Sequence, residues 1–372
     1  MYKICTHCIM DTSDPAIEFD ENGICNHCRR YEKEFSKRVY SGSVSINKLE
    51  SLVKDIKKKG KNNEYDCIIG VSGGVDSTYV GYLCKKFGLK PLAVHFDNGW
   101  NSELAVRNIE KTLDRLGIDL YTYVINWEDF KQLQISFLKA STPDGEIPTD
   151  HAINALLFRE AAKRNIGFII NGMNFAAESI SIPTWAYGHS DWRYIKSVHK
   201  IFNRSSLFNY PKYNFWNLFV WMIIKRIKVV SILNYIDYNK DEAMETLSRE
   251  LDWVYYGGKH YESIYTRFYQ GYILPTKFNI DKRRAHFSDL INSGQLTREI
   301  ALNKLNEPAY DAKLLKQDFD FVLKKFEMTE DEFKDIMQLP KKNFKDYKNN
   351  YVLVQRLKSF LNYLRYIGIL SR

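Results

Sequence analysis

The sequence predicts an α/β protein built on a doubly wound parallel sheet, with a metal-binding knuckle before it and helices after it. Three observations carry this. Residues 67–78, CIIGVSGGVDST, open as an apolar run fit for a buried strand, break into a Ser-Gly-Gly turn and continue in a stretch that can be helical. Strand-like and helix-like segments then alternate as far as Asn171, the pattern of a parallel sheet that binds ligands at the carboxyl ends of its strands. Two C-x-x-C pairs stand near the amino terminus, 16 residues apart.

Length and composition bound the reading. A chain of 372 residues is enough for two or three domains with a sizeable core. Its 25 Tyr, 22 Phe and 7 Trp argue against disorder. The net charge of +9 suits nucleotides, RNA or an anionic membrane surface, and equally a solvated basic surface. Met1 to Cys5 lacks the apolar segment of a signal peptide. The most apolar region, Phe215 to Leu233, is interrupted by Lys225, Arg226 and Lys228 and falls short of the roughly 18–20 apolar residues of a membrane span. A cytoplasmic protein with no transmembrane segment is expected, and Phe215 to Leu233 reads as a buried helix running into a strand, with an interfacial helix as the alternative.

In chain order, Cys5, Cys8, Cys25 and Cys28 supply four thiolates at the spacing of a tetrahedral zinc site, with a hairpin turn at Asp20 to Gly23 between the pairs. A closed four-sulfur site has no open position for catalysis, so this zinc is expected to be structural. An iron–sulfur cluster is the competing occupant, and His7 and His27 are bystanders. Residues 31–61 read as a linker with one helix over Ile46 to Ile56. Tyr65 to Val71 is the first strand of the main domain. In the turn after it, Gly73 and Gly74 let the backbone approach a phosphate, and the helix start points its free N–H groups and dipole at it. Ser72, Ser77 and Thr78 add hydroxyls, and Asp76 adds a carboxylate best explained, beside polyphosphate, by Mg²⁺. A Walker loop is excluded, since its lysine is missing.

Further strands are expected at Pro91 to Phe96, Leu120 to Ile125 and Gly167 to Asn171. Helices are expected at Ser102 to Leu116, stopped by Gly117, and at Ala152 to Arg164, capped by Thr149 or Asp150. The segment after the fourth strand is small and polar, which places Asn174 and Glu178 at the active site, with Glu178 as a second Mg²⁺ ligand. Ser181 to Tyr213 reads as a covering loop. Asn239 caps a helix that runs to Leu251. The glycine pair before Lys259 and His260, and then Arg283 and Arg284, suit an anionic ligand. Beyond Thr297 the chain is helical, with a capping box at Thr329 to Glu332. An apolar stripe at Leu353, Leu357, Phe360, Leu361 and Leu364 is expected to lie against the main domain or a partner. The domain division expected is 1–45, 46–255 and 256–372.

Ser72-Gly73-Gly74-Val75-Asp76-Ser77 resembles the PP-loop of the N-type ATP pyrophosphatases, which implies cleavage of ATP between its α and β phosphates. His95-Phe96-Asp97-Asn98-Gly99 resembles the second-strand end of guanylate synthetase and its relatives, which implies that His95 and Asp97 edge the adenosine site. The four-cysteine knuckle, the PP-loop, Pro148-Thr149-Asp150-His151, Gly257 to Ser263 and Asp281 to His286 occur in that order. Together they resemble the N-acetyl sugar amidotransferase family of bacterial surface-polysaccharide biosynthesis. The resemblance implies adenylation of the acetamido oxygen of a nucleotide-linked, UDP-type sugar. Ammonia then displaces AMP to give an acetamidino group, and is delivered by separate glutaminase and cyclase-like subunits. In that chemistry Lys259 offsets phosphate charge, and His151 or His260 removes a proton from ammonia or its adduct. The rival reading is a PP-loop tRNA-modifying enzyme, a thiolase or lysidine-type ligase, which the charge permits. Thiolases commonly use extra cysteines, and only Cys67 and Cys84 lie outside the knuckle, so nucleic acid is not favoured.

Overall fold

The computed structural model describes residues 2–203 and 205–366, with side chains to residue 360. Its elements in chain order are α1 (Asn26–Arg38), α2 (Gly42–Gly60), β1 (Cys67–Gly70), α3 (Val75–Lys86), β2 (Pro91–Asp97), α4 (Glu103–Leu116), β3 (Leu120–Val124), α5 (Trp127–Ala140), α6 (Ile147–Lys163) and β4 (Phe168–Asn171). Next come α7 (Trp192–Phe202), α8 (Phe215–Phe219) with a π turn to Ile224, β5 (Lys228–Ser231), α9 (Lys240–Leu251) and α10 (Ile264–Phe268), which continues as a π helix to Phe278. The chain ends in α11 (Arg283–Asn292), α12 (Arg298–Asn306), α13 (Ala312–Phe326), α14 (Glu330–Gln338) and α15 (Tyr351–Tyr366).

The five strands form one parallel sheet in the order β3-β2-β1-β4-β5. Successive side chains of a strand leave opposite faces. Ile68, Leu92, Val94 and Ile169 therefore enter one core, with α5, α6, α10 and the knuckle cysteines. Cys67, Ile69, Ala93, Phe168 and Ile170 enter a second core, with α3, α4 and α9. Both faces of the central strands are covered, which is why they read as continuous apolar runs. Local signals place several ends as expected. The Ser102 hydroxyl accepts from the Ala105 amide at 3.2 Å, and Gly117 closes α4 in the left-handed region with φ +56°.

Several expectations change, among them the linker with one helix expected over residues 31–61, which holds the end of α1 and all of α2. Helix α6 begins at Ile147 with Pro148 in its first turn, where a missing N–H costs nothing, so Thr149 and Asp150 lie inside the helix and cap nothing. Helix α5 has no counterpart among the expected elements; it is buried around much of its circumference, which blurs the one-sided stripe of a surface helix. The stretch expected as a covering loop contains α7. The helix expected to be buried at Phe215 runs into β5, but with an outward apolar side. On α15, Leu353, Leu357 and Phe360 are exposed; the side chains of Leu361 and Leu364 lie outside the described residues.

Candidate active site at the switch point of the sheet

From β1 the chain winds outward to β2 and β3, then crosses to β4 on the other side of β1. The connections leaving the carboxyl ends of β1 and β4 therefore diverge, and a crevice opens between them. The 71–74 loop leaves β1 into α3, and residues 172–179 leave β4. They meet closely: a β-carbon on Gly172 would lie 2.9 Å from the backbone carbonyl carbon of Asp76. Gly73 is held at φ +79°, and a β-carbon there would lie 2.5 Å from the carbonyl oxygen of Ala105 on α4. Gly73→Ala must carry roughly 1–2 kcal/mol of left-handed strain and also push α4 away. It is expected to lower the melting temperature and ATP turnover together; an unchanged melting curve would refute this.

The loop is braced by its own hydroxyls and by distant aromatics. The Ser72 amide donates to Ser77 Oγ at 3.3 Å, and Ser77 Oγ donates to the Gly74 carbonyl at 3.2 Å. Trp253 Nε1 donates to the Gly73 carbonyl at 3.0 Å, and the Val75 amide donates to the Tyr256 hydroxyl at 3.2 Å. His95 on β2 spans Val71 O (2.9 Å, Nδ1) and the Asn101 amide (3.0 Å, Nε2), so it supports the loop from beneath. Asp97 accepts from the Gly99 amide at 2.8 Å, which fixes the turn after β2. Asn174 Oδ1 accepts from the Ala177 amide at 2.8 Å and shapes the loop that carries Glu178, while its buried Nδ2 has no partner among the described residues.

Asp76 stands in the first turn of α3 and accepts a hydrogen bond from the Tyr238 hydroxyl. Burial, and then the Glu178 carboxylate, push its carboxyl above the usual range. Lys259 Nζ is 3.0 Å from Glu178 Oε1. Burial works to raise Glu178, but the Lys259 ammonium beside it holds it low. Burial also lowers Lys240, against the pull of Asp76. His260 Nδ1 is 3.7 Å from Glu262 Oε1. Glu262 closes over the loop: a β-carbon on Gly74 would lie 3.2 Å from Glu262 Oε1, and Glu262 Oε2 is buried with no partner among the described residues. Two neighbouring carboxylates in a partly desolvated crevice, beside the amides of a helix start, fit Mg²⁺ with phosphate, because Mg²⁺ takes one or two carboxylates and completes its shell with phosphate and water. Sequence reasoning missed Tyr238, Lys240, Trp253, Tyr256 and Glu262 as site residues. Only Tyr256 and Glu262 carried a signal, as neighbours of the Gly257-Gly258 pair.

His151 does not join them. It is fully buried, its Nε2 accepts from the Tyr213 amide at 3.2 Å, and its Nδ1 donates to His189 O at 2.9 Å. Burial pushes its pKa down to about 4. A neutral imidazole with both nitrogens committed has no free lone pair for a proton, so the expected base role passes from His151. Beside it, His189 Nε2 is 3.2 Å from Asp144 and 3.3 Å from Asp150, and Thr266 donates to Glu146 at 2.7 Å. Burial, helped by Asp150 and Asp144, pushes Glu146 up to about 8 from its ordinary 4.5. A carboxyl raised in the fold adds stability below its unfolded pKa and loses it as pH rises through the folded value. The difference in melting temperature between Glu146→Gln and the parent is therefore expected to grow in favour of the variant from pH 5 to pH 9. A constant difference would show that Glu146 is already ionised at the lower pH.

The four knuckle sulfurs lie within 4.8 Å of one another. Separations of 3.6 Å (Cys8–Cys25 and Cys25–Cys28) and 4.0 Å (Cys5–Cys28) match the roughly 3.8 Å edge of a sulfur tetrahedron about 2.3 Å from a central ion. The Cys8 and Cys25 amides donate to Cys5 Sγ at 3.4 and 3.2 Å, and the Met10 amide to Cys8 Sγ at 3.4 Å. The donor set thus fits a tetrahedral thiolate-bound ion. His27 is held by Asp14 at 2.7 Å and stands outside that set.

Arg283 and Arg284, expected to meet an anionic substrate, are spent elsewhere. Arg283 pairs with Asp281 at 2.8 Å and donates to the carbonyls of Lys304 and Glu307 at 3.2 and 2.9 Å, closing the end of α12. Arg284 pairs with Asp11 at 3.0 Å and donates to Ile9 O at 3.0 Å, clamping the knuckle. Each guanidinium already has an internal partner. Arg284→Ala is expected to lower stability by about 3 kcal/mol, the cost of breaking a largely buried pair, with KM for ATP unchanged. A raised KM at full stability would return Arg284 to the ligand site.

A glycine loop between the first strand and first helix of a 3-2-1-4-5 parallel sheet, with an acidic helix start facing the switch point, defines a nucleotide-binding α/β protein of the PP-loop class. Comparison with known proteins extends this. Residues 45–142 match the NAD synthase family model, and residues 262–359 match the model described as LPS biosynthesis protein WbpG-like, C-terminal domain. Each model covers less than half of the chain, which thus carries an NAD synthase-like segment of PP-loop type and, after it, a WbpG-like C-terminal segment. It is 34% identical over 64 residues to the tRNA(Ile)-lysidine synthase of Chlamydia pneumoniae, 17% of this chain, and spans only 20% of that relative's length. Similar solved structures include NH3-dependent NAD synthetase from Campylobacter jejuni (18% identity, 55% of this chain and 84% of that one, TM-score 0.29). NMN synthetase from Francisella tularensis is another (17% identity, 57% and 87%, TM-score 0.27). Among the described residues no helix is long and apolar enough to cross a membrane.

Proposed function

We propose that the chain is an ATP-dependent amidotransferase acting on an N-acetylated, nucleotide-linked sugar in surface-polysaccharide biosynthesis. It would adenylate the acetamido oxygen and exchange AMP for ammonia, leaving an acetamidino group. One observation carries the reading: the WbpG-like segment begins at Glu262, and Glu262 walls the phosphate loop at Gly74. That adjacency supports a reading in which the segment matching a lipopolysaccharide-biosynthesis domain would hold the acceptor beside the loop. An amide oxygen leaves poorly at neutral pH, and adenylation converts it into a good leaving group.

In this reading Asp76 and Glu178 would hold Mg²⁺, which would offset charge on the departing pyrophosphate. Ser72, Ser77, Thr78 and the amides of the α3 start would hold phosphate oxygens, and Lys259 would add its charge once Glu178 turns to the metal. His260, oriented by Glu262, would take the proton from the attacking nitrogen. Zinc is the ion we assign to the four cysteines. The test is AMP and pyrophosphate formation from ATP, Mg²⁺ and ammonium with a panel of UDP-linked N-acetyl sugars. Turnover that requires both sugar and ammonium supports the proposal, and no dependence on either overturns it.

A tRNA-modifying reading has one observation in its favour, the 64-residue similarity to a lysidine synthase. The same assay with bulk tRNA in place of sugar decides between them.

The chain is expected to use ammonium but not glutamine. Its six cysteines are all buried; four form the knuckle, and Cys67 and Cys84 lie in the second core. None is placed as an exposed glutaminase nucleophile. Glutamine should become a donor only when separate glutaminase and channel subunits are added. AMP formation with glutamine as sole nitrogen source, contaminating glutaminase excluded, would contradict this.

A further inference from the structure

The segment from α7 to β5 has a charge pattern and a surface that the nucleotide site does not use. Between Asp191 and Asp237 the sequence holds eight lysines and arginines and no carboxylate side chain. Within it, α8 and its π turn direct Trp221 inward, where it stacks on Phe158 at 5.3 Å, with Leu218 packed beside the same core. On the other side Phe215, Trp216, Phe219, Met222 and Ile223 recur at helical spacing and stand in solvent; Trp216 is 68% exposed and Ile223 62%. Trp216 and Phe219 stack at 5.4 Å, so the ridge is contiguous, and Phe208 before it is 82% exposed. Lone exposed apolar side chains are ordinary, whereas a ridge of this kind marks a contact surface.

The chain just beyond the ridge is cationic. Lys225, Arg226 and Lys228 come next, and Lys59 of α2 joins them, its Nζ 2.7 Å from Arg226 O. Burial, then Lys228 and Arg226, lower the Lys59 ammonium. An aromatic and aliphatic ridge with a basic rim complements a surface that is apolar beneath and uniformly negative above. A protein partner would need a matching apolar groove with an acidic border, whereas an anionic bilayer supplies both features everywhere. We propose that the Phe215–Ile224 ridge and the Lys59, Lys225 and Lys228 rim seat the protein peripherally on an anionic lipid bilayer.

The test is sedimentation of the full chain with vesicles of phosphatidylcholine alone and of phosphatidylcholine with phosphatidylglycerol. Partition is expected to be roughly tenfold or more stronger on the anionic vesicles and to weaken with salt. Phe219→Glu/Ile223→Glu should abolish binding to both, and Lys225→Gln/Lys228→Gln should remove only the preference for anionic lipid. Far-UV circular dichroism checks that each variant is folded. The proposal is overturned if the wild-type chain stays in the supernatant with both vesicles, or if folded Phe219→Glu/Ile223→Glu partitions like wild type. It is equally overturned if the wild-type chain ignores vesicles but forms an oligomer that this variant dissociates, since the ridge would then join copies of the chain.

Discussion

Asp76→Asn is expected to cut ATP-dependent AMP formation on the order of 10³-fold, the scale of losing one preorganised charge-stabilising group, while the fold stays intact. The two effects separate because they depend on different neighbours. Activity depends on the negative charge, which would anchor Mg²⁺ beside the α3 start. Stability depends on Asp76 as an acceptor for the Tyr238 hydroxyl, and an asparagine oxygen keeps that bond. The carboxylate itself is under pressure in the fold, first from burial and then from Glu178. A carboxyl raised in this way loses stability as pH rises from its unfolded pKa through its folded one. The substitution should therefore leave the melting temperature of the metal-free protein unchanged near pH 4 and raise it at pH 8. Turnover and melting curves at both pH values check this. Near wild-type turnover at saturating Mg²⁺ would reject Asp76 as the metal-holding group, and a melting temperature that falls at both pH values would make its role structural.

The sequence made the framework legible because the framework is local. The apolar run before Gly70, the Ser-Gly-Gly turn and the helix after it lie within twelve residues, and each obeys a short-range rule. The same holds for the Asn239 cap, the Gly117 stop and the Thr329–Glu332 box, all found in the structure. The cysteine cluster was legible because thiolate pairs at that spacing have few other uses. The walls of the crevice were not, since they are made at long range. Tyr238, Trp253 and Tyr256 lie more than 160 positions from the loop they brace and are three among 54 aromatic residues. Arg283 and Arg284 show the converse error. A run of cations reads as a ligand site until tertiary structure supplies Asp281, Asp11 and the carbonyls that satisfy them. Helix α8 reads as buried because most of its residues are apolar, and periodicity alone does not say whether the second apolar side meets protein.

Cys25→Ala is expected to abolish metal binding and unfold the amino-terminal segment before the sheet. The Cys25 sulfur lies 3.6 Å from both Cys8 and Cys28. Without it the ion loses a quarter of its shell, and three thiols remain crowded in a buried space. Structural zinc in small sites supplies roughly 10 kcal/mol or more of binding free energy at neutral pH, more than a knuckle of this size can replace by packing. The loss should spread beyond the knuckle, because the knuckle is docked. Arg298 donates to the carbonyls of Cys8 and Cys5 at 3.1 and 3.0 Å, and the Ile9 amide donates to Ser288 Oγ at 3.2 Å. When the knuckle opens, α11 and α12 lose those acceptors and that donor. Hydrogen exchange should rise across residues 2–38 and, to a smaller extent, 283–306, while β1, β2 and β4 stay protected. A strong chelator on the wild-type chain should give the same footprint. Arg298→Ala should loosen α12 with the metal retained, separating docking from binding. Elemental analysis is the decisive measurement: one zinc per wild-type chain and none in Cys25→Ala is the expected result. Wild-type protein free of zinc, or holding iron with inorganic sulfide, would remove the assignment.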